Sequence, residues 1–305
     1  MANANDHIVQ PAEAMQTIAV PRAGLWRRFA ADRPALVSMV VMACIFVVGM
    51  GYWTIHLSGV HWPYDPTVPD PPAQLLPPSA QHPLGTDELG RDTLSRILLG
   101  AHVSLLIGFV AVGISIAIGA IIGSVSGYFG GWVDTIMMRF VDMMMCIPSF
   151  FLILTVAAML RPSIWYVAAV IGLTGWMGTS RLVRAEFLTL RETDYVQAAR
   201  AVGAGPLRII FRHILPNALP PVFVSAVLGV SGAILAEASL SYLGFGVQPP
   251  DPSWGNIVAD GRQYILDAWW LIVFPGVAIF VTTLAFYVTG EGLRAALDPK
   301  ETKRI

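Results

Sequence analysis

Six long runs of this chain carry almost no charge: residues 35–55, 103–125, 143–160, 164–180, 219–243 and 268–289, the fifth interrupted only by Glu237. Each is close to the roughly 20 residues a helix needs to cross a bilayer. In hydrocarbon a backbone must satisfy its own hydrogen bonds, which leaves helices or closed barrels. Barrel strands alternate apolar and polar side chains, and these runs do not. The expected fold is therefore an all-α polytopic membrane protein with six transmembrane helices. Only 13% of the residues are charged, against about 25% in soluble domains. The net charge of −1 gives no reason to expect a nucleic-acid partner; the partner that composition does imply is membrane lipid.

Six spans put both termini on one side. Fifteen of the 19 Lys and Arg residues fall on that side and four on the other, so the positive-inside rule places both termini in the cytoplasm of a plasma or inner membrane. The organisation expected is a cytoplasmic tail over 1–34, a first transmembrane helix over 35–55 and an extracytoplasmic segment over 56–102. A transmembrane core over 103–290 follows, with a long cytoplasmic loop at 181–217, and then a cytoplasmic tail over 291–305. In the tail, Leu25, Trp26 and Phe29 stand beside three arginines, which suits either an interfacial helix or a basic stop signal with an aromatic anchor. The extracytoplasmic segment has eight prolines between Pro63 and Pro83 and should be extended. Thr86 or Asp87 is then suited to cap a short amphipathic helix.

Ala111, Ser115, Gly119, Gly123 and Gly127 recur every four residues in the second run, a stripe that lets another helix approach closely. Arg139 and Asp142, spaced i, i+3, can form a structural ion pair on one helix face. Glu237 is an intramembrane acid, by default a functional-site candidate; a packing residue hydrogen-bonded by Ser239 or Ser241 is the alternative. Ser104, Thr174 and Ser231 are polar positions in the runs, equally suited to line a cavity or to bond their own helix backbone. Cys44 and Cys146 lie in or beside apolar runs and read as packing residues. The six histidines show no ligand spacing, so no metal site is expected. No nucleophile–base constellation appears, so the chain does not read as an enzyme.

The loop segment "DYVQAARAVGAGPLRIIFRHILPN" at 194–217 reads as two short helices. Asp194 and Gln197 resemble a capping box, and Ala198, Ala199 and Ala201 favour helix. Gly203 is placed to stop the first helix and Pro206 to open the second. Leu207, Ile210, Phe211 and Ile214 form an apolar stripe, and Pro216 is expected to end the helix.

This segment resembles the EAA loop of ATP-binding-cassette importer permeases. Ala198, Ala199, Gly203, Leu215 and Pro216 match its pattern, while Gln197 stands where Glu is usual and His213 where Ile is usual. The stretches "HPLGTDELGRDTLSRILLGAHVSL", "SGYFGGWVDTIMMRFVDMM", "SLSYLGFGVQPPDPSWG" and "GEGLRAALDPK" resemble the C-type permease subunit of dipeptide and oligopeptide importers. The likeness runs from about Trp26 to Lys300. It implies a type I importer fold in which two related permease chains, a heterodimer, form the pathway. Two separate ATPases would bind the EAA loops from the cytoplasm, and an extracytoplasmic binding protein would deliver substrate near 85–96 and 246–255. Residues 197–203 would be the coupling helix. The cargo implied is di- or oligopeptides, with nickel complexes or glutathione as alternatives. No cofactor is expected on this chain; ATP and magnesium would be used by the partner ATPases. The sequence agrees, since neither of its lysines, Lys300 and Lys303, follows a glycine as a phosphate-binding P-loop requires. A different class of reading is a stand-alone proton-coupled carrier using Glu237 and Asp142.

Overall fold

The computed structural model describes residues 25–60, 63–159 and 163–297. Most of the N-terminal tail, the end of the C-terminal tail, and with them Arg22, Arg161, Lys300, Lys303 and Arg304 of the charge count, lie outside the described residues. A short helix α1 (Leu25–Ala31) leads into α2 (Arg33–Leu57), which is opened by Asp32, its Oδ1 accepting the Ala35 amide at 3.2 Å. Helix α1 forms over the stretch that suited either an interfacial helix or an aromatic anchor; Phe29 turns inward and packs with Ala35 and Ala296, leaving Trp26 exposed.

Thr86 and Asp87 do not cap a helix. Gly90 (φ +80°) lies so close to the Asp70 carbonyl that a Cβ would sit 1.7 Å from its oxygen, and the chain must first clear this tight loop. Helix α3 (Thr93–Phe129) then starts at Asp92, which accepts the Ser95 amide at 2.8 Å, and runs unbroken into the second apolar run. Thr86 instead forms an isolated antiparallel bridge with Asp92.

The third run is not one straight helix. Helix α4 (Gly131–Met145) and helix α5 (Ser149–Met159) meet at 78°. Pro148 lies at the break: it has no N–H to give and disfavours the helical conformation in the residue before it. With 11 residues, α5 is about 16 Å long, half a bilayer core. Helix α6 (Ile164–Leu190) holds the fourth run. Helix α7 (Asp194–Ala201) and the short α8 (Pro206–Arg208) form the bent pair. A π turn (Ile209–Ile214) joins α8 to α9 (Leu215–Tyr242), so that Pro206–Tyr242 is continuous. Helix α10 (Trp254–Gly261) lies in the last loop, before α11 (Trp270–Leu297). Among the described residues, α2, α3, Pro206–Tyr242 and α11 are long and apolar enough to cross a membrane, and the bent pair α4–α5 makes a fifth candidate span. Helix α6, which holds the fourth run, is not among these candidates, so the described residues give up to five candidate spans by length and composition where six were expected.

The small-residue stripe of α3 has its partner in this chain. A Cβ on Gly123 would lie 2.4 Å from the Ser180 carbonyl oxygen, and one on Gly127 would lie 2.6 Å from Phe187 Cβ. The approach is reciprocal, because Gly172 of α6 faces the Ala111 carbonyl and accepts the Ser115 hydroxyl at 2.8 Å. Backbone-to-backbone contact at this range is the packing that drives association where lipid removes the hydrophobic contrast.

The Arg139–Asp142 ion pair does not form. Asp142 pairs with Arg181 of α6, and Arg139 is exposed. One turn from the start of α4, Asp134 holds Arg184 through two bonds of 2.5 and 2.6 Å and also receives the Ser126 hydroxyl. The guanidinium of Arg184 matches the Asp134 carboxylate edge to edge, whereas Arg181 reaches Asp142 through one nitrogen; both acids of α4 are paired by the facing helix. Cys44 and Cys146 are free and exposed rather than packed in the core.

Candidate functional site

At the end of the bundle where α6 meets α7, Thr193 is the N-cap of α7 without a side-chain cap bond; its hydroxyl donates to the Leu190 carbonyl. The Asp194–Gln197 capping box is therefore not made. The C-terminal stop is as expected. Gly203 has φ +82°, its amide donates to Arg200 O at 2.9 Å, and the Ala204 amide donates to Ala199 O at 3.0 Å. These two bonds make the Schellman closure. Gly205 and Pro206 then start α8.

Pro216 does not end the second helix. The Leu215 amide reaches Ile210 O, five residues back, and this widened turn gives the Pro216 ring room within a continuing helix. The same π turn rotates the apolar stripe. Ile210 and Ile214 are buried as expected, but Ile209 joins them, while Leu207 (71% exposed) and Phe211 (63%) face outward. Val196 and Ala199 anchor α7, Val196 packing on Val183, Phe187 and the buried isoleucines. Gln197, Ala198, Gly203 and Pro216 are exposed, and Leu215 is half-buried. Beside them Val202 is 84% exposed. The bend thus offers a low, mixed surface of small and apolar side chains on a rigidly closed corner.

A depression of about 300 Å³ opens between α3, α5, α6 and α9. Ser115, Ser149, Thr174, Gly178, Ser225 and Gly232 are among its lining, and no charged residue is. Of the three polar positions singled out in sequence, Thr174 lies here while its hydroxyl bonds Val170 O at 2.9 Å. Ser231 bonds Leu228 O, and Ser104 belongs to the Glu237 cluster.

At the opposite end of α9, Glu237 is fully buried. Its Oε1 accepts the hydroxyls of Ser241 (2.6 Å) and Ser253 (2.7 Å), and its Oε2 accepts that of Ser104 (3.4 Å). Ser239 bonds Leu235 O instead. Nearby, Asp87 receives Arg91 Nε (2.7 Å) and Arg96 Nη1 (2.6 Å), and Arg96 also reaches Asp260 at 3.2 Å. This ties the Pro-rich segment to α3 and α10. Burial, reinforced by Asp87, pushes the Glu88 carboxyl up; burial also raises Asp260, against the pull of Arg96 and Arg91. Among the described residues no group of His, Cys, Asp and Glu is arranged to hold a metal. Sequence reasoning missed the Asp87–Arg96–Asp260 and Asp134–Arg184 pairs. It also missed Ser253, whose spacing to Asn256 is that of the capping box they form.

A family model described as "Binding-protein-dependent transport system inner membrane component" matches residues 115–303. A probable D,D-dipeptide transport system permease protein of Escherichia coli is 46% identical over 78% of this chain and 80% of its own length. A dipeptide transport system permease protein of Alkalihalophilus pseudofirmus is 38% identical, covering 95% and 93%. A di/tripeptide transport system permease protein of Pseudomonas aeruginosa is 40% identical, covering 92% of each. An inward-facing structure of the MetNI methionine ABC transporter is similar in fold, with a TM-score of 0.50 and 20% identity, over 67% of this chain and 98% of that one.

Proposed function

The chain belongs to the family of binding-protein-dependent transport system inner membrane components, and from that premise we propose that it is the permease subunit of an ATP-driven importer of short peptides. It is a multi-pass inner-membrane protein and a transport subunit rather than an enzyme. The near full-length likeness to dipeptide and di/tripeptide permeases supports peptides over nickel complexes or glutathione, and an importer subunit over a stand-alone proton carrier. The charge bias along the sequence supports a cytoplasmic position for the bent pair.

The observation that carries the mechanism is the closed corner at Gly203. Gln197, Ala198, Ala199 and Gly203 form a coupling element on which a separate ATPase would close, with Leu215 and Pro216 transmitting the push into α9. Small side chains allow close approach, exposed Val202, Leu207 and Phe211 supply apolar contact, and the Schellman closure keeps the corner from yielding. ATP and magnesium would be handled by two such ATPases. A second, related permease chain would complete the pathway, to which this chain contributes the neutral depression between α3, α5, α6 and α9. Serine, threonine and glycine there offer weak hydrogen bonding without charge, a lining that lets unlike peptides pass. The binding protein would dock at the end carrying α10.

The test is Gly203→Val in the assembled importer. A branched residue at φ +82° is strained, so the corner should open and peptide uptake should fall at least about tenfold, on a cost of about 1–3 kcal/mol, while the complex still assembles. Unchanged uptake by an assembled complex would refute the coupling role.

A further inference from the structure

The three serines around Glu237 share a pattern. Each hydroxyl donates to the carboxylate and also accepts a backbone N–H from the loop that carries α10. Ser241 Oγ accepts Val247 N at 3.2 Å, Ser253 Oγ accepts Asn256 N at 3.2 Å, and Ser104 Oγ accepts Trp254 N at 3.3 Å. A hydroxyl has one proton and two lone pairs. By taking the proton of all three, Glu237 fixes which way each presents its lone pairs, and those lone pairs are aimed at one loop amide, Val247, and at two first-turn amides of α10, Trp254 and Asn256, which have no partner within the helix. Ser104 belongs to α3, Ser241 to α9 and Ser253 caps α10, so one side chain organises three elements.

The loop is pressed onto this centre. A Cβ on Gly246 would lie 1.9 Å from Ser241 Oγ, and one on Gly255 would lie 2.6 Å from Ala238 Cα. Trp254 is buried, with its indole N–H on Ile97 O at 3.0 Å. None of the three groups bonded to Glu237 is a cation. An apolar residue would pack here without the cost of taking a carboxyl out of water, a cost that three neutral hydroxyls offset only in part.

We infer that Glu237 is a positioning residue: it orients three hydroxyls that seat the 244–261 segment on the ends of α3 and α9, and so sets the geometry of the face that receives substrate. The seating is read from the structure itself; its importance for uptake rests on the permease reading above.

The experiment uses the whole importer, purified with its partner subunits. Amide hydrogen exchange is followed at Val247, Trp254 and Asn256, with Gly203 and Ala204 at the far end as internal reference. Binding-protein-dependent peptide uptake is measured on the same preparations. In Glu237→Ala the three amides should exchange at least about tenfold faster, the effect of leaving buried partners unsatisfied, with Gly203 and Ala204 unchanged and uptake reduced. Glu237→Gln keeps an acceptor oxygen for Ser241 and Ser253 and should restore slow exchange and uptake. Equal exchange in Glu237→Ala and wild type overturns the inference, and so does Glu237→Gln behaving like Glu237→Ala. If Glu237→Ala fails to assemble, Glu237→Leu, which fills the space without an acceptor, takes its place: faster exchange at the three amides supports the inference, and unchanged exchange overturns it. A wild-type importer that moves no peptide would refute the proposed function while leaving the exchange result to stand.

Discussion

Adding a single methyl group at Gly123 should cost more than removing a flexible glycine gains. The new Cβ would meet Ser180 O at 2.4 Å, Val183 Cβ at 2.8 Å and Arg184 N at 2.9 Å, where ordinary contact is 3.4–4 Å. Two of these atoms are backbone and cannot swing away, so α3 and α6 would have to part by about 1 Å, forfeiting much of their dispersion contact. Gly→Ala in a helix gains about 0.8–1.0 kcal/mol, and overpacking costs about 1–3 kcal/mol; with backbone in the way the net should be about 1–2 kcal/mol destabilising. Gly113 is on the same helix with nothing within 4 Å of its Cβ direction, so Gly113→Ala should keep the propensity gain. Thermal stability of the detergent-solubilised variants, followed by size-exclusion fluorescence, compares the two. A Gly123→Ala variant as stable as Gly113→Ala would refute the account of the α3–α6 seam.

Asp134→Asn should destabilise by about 1–3 kcal/mol, since the Arg184 fork loses its charged, two-oxygen acceptor; the same thermal assay checks it. Asp87→Ala should cost about 3–5 kcal/mol by leaving Arg91 and Arg96 buried against a missing partner, seen as loss of folded protein on expression. Glu88 and Asp260 both hold their protons more tightly in the fold than in the unfolded chain. Their contribution is therefore fully present below the ordinary carboxylate range and lost as pH rises through their raised values. Amides of the Pro-rich segment and α10 should become better protected from exchange on acidification from neutral, after correction for intrinsic exchange rates, and Glu88→Gln should flatten that slope.

The apolar runs and the closed corner at Gly203 were legible because each depends on residues near in sequence. A hydropathy window reads composition within one segment, and a Schellman closure needs only a glycine in the right place. What a window cannot see is direction. Pro148 inside 143–160 carried the signal for the break, but Pro220, Pro221 and Pro275 sit inside helices that continue, so the residue type alone does not decide. Asp142 had a cationic neighbour at i−3, yet Arg181, 39 residues away, took its place because α6 faces α4. The stripe on α3 announced close packing without naming α6. Glu237 stood out as a lone acid, but Ser104 is separated from it by 133 residues, and no local pattern joins them. The π turn that carries Pro216 within the helix is a change of hydrogen-bond register that propensity does not encode.

The unbroken Pro206–Tyr242 helix has a mechanical consequence. Its 37 residues measure about 55 Å at 1.5 Å per residue, so the corner at Gly203 and the carboxylate at Glu237 sit at the two ends of one connecting rod. Under the coupling role proposed above, a thrust delivered at the first would arrive at the second as a change of pitch or azimuth. The π turn at Ile209–Ile214 is where slack in that linkage would be taken up.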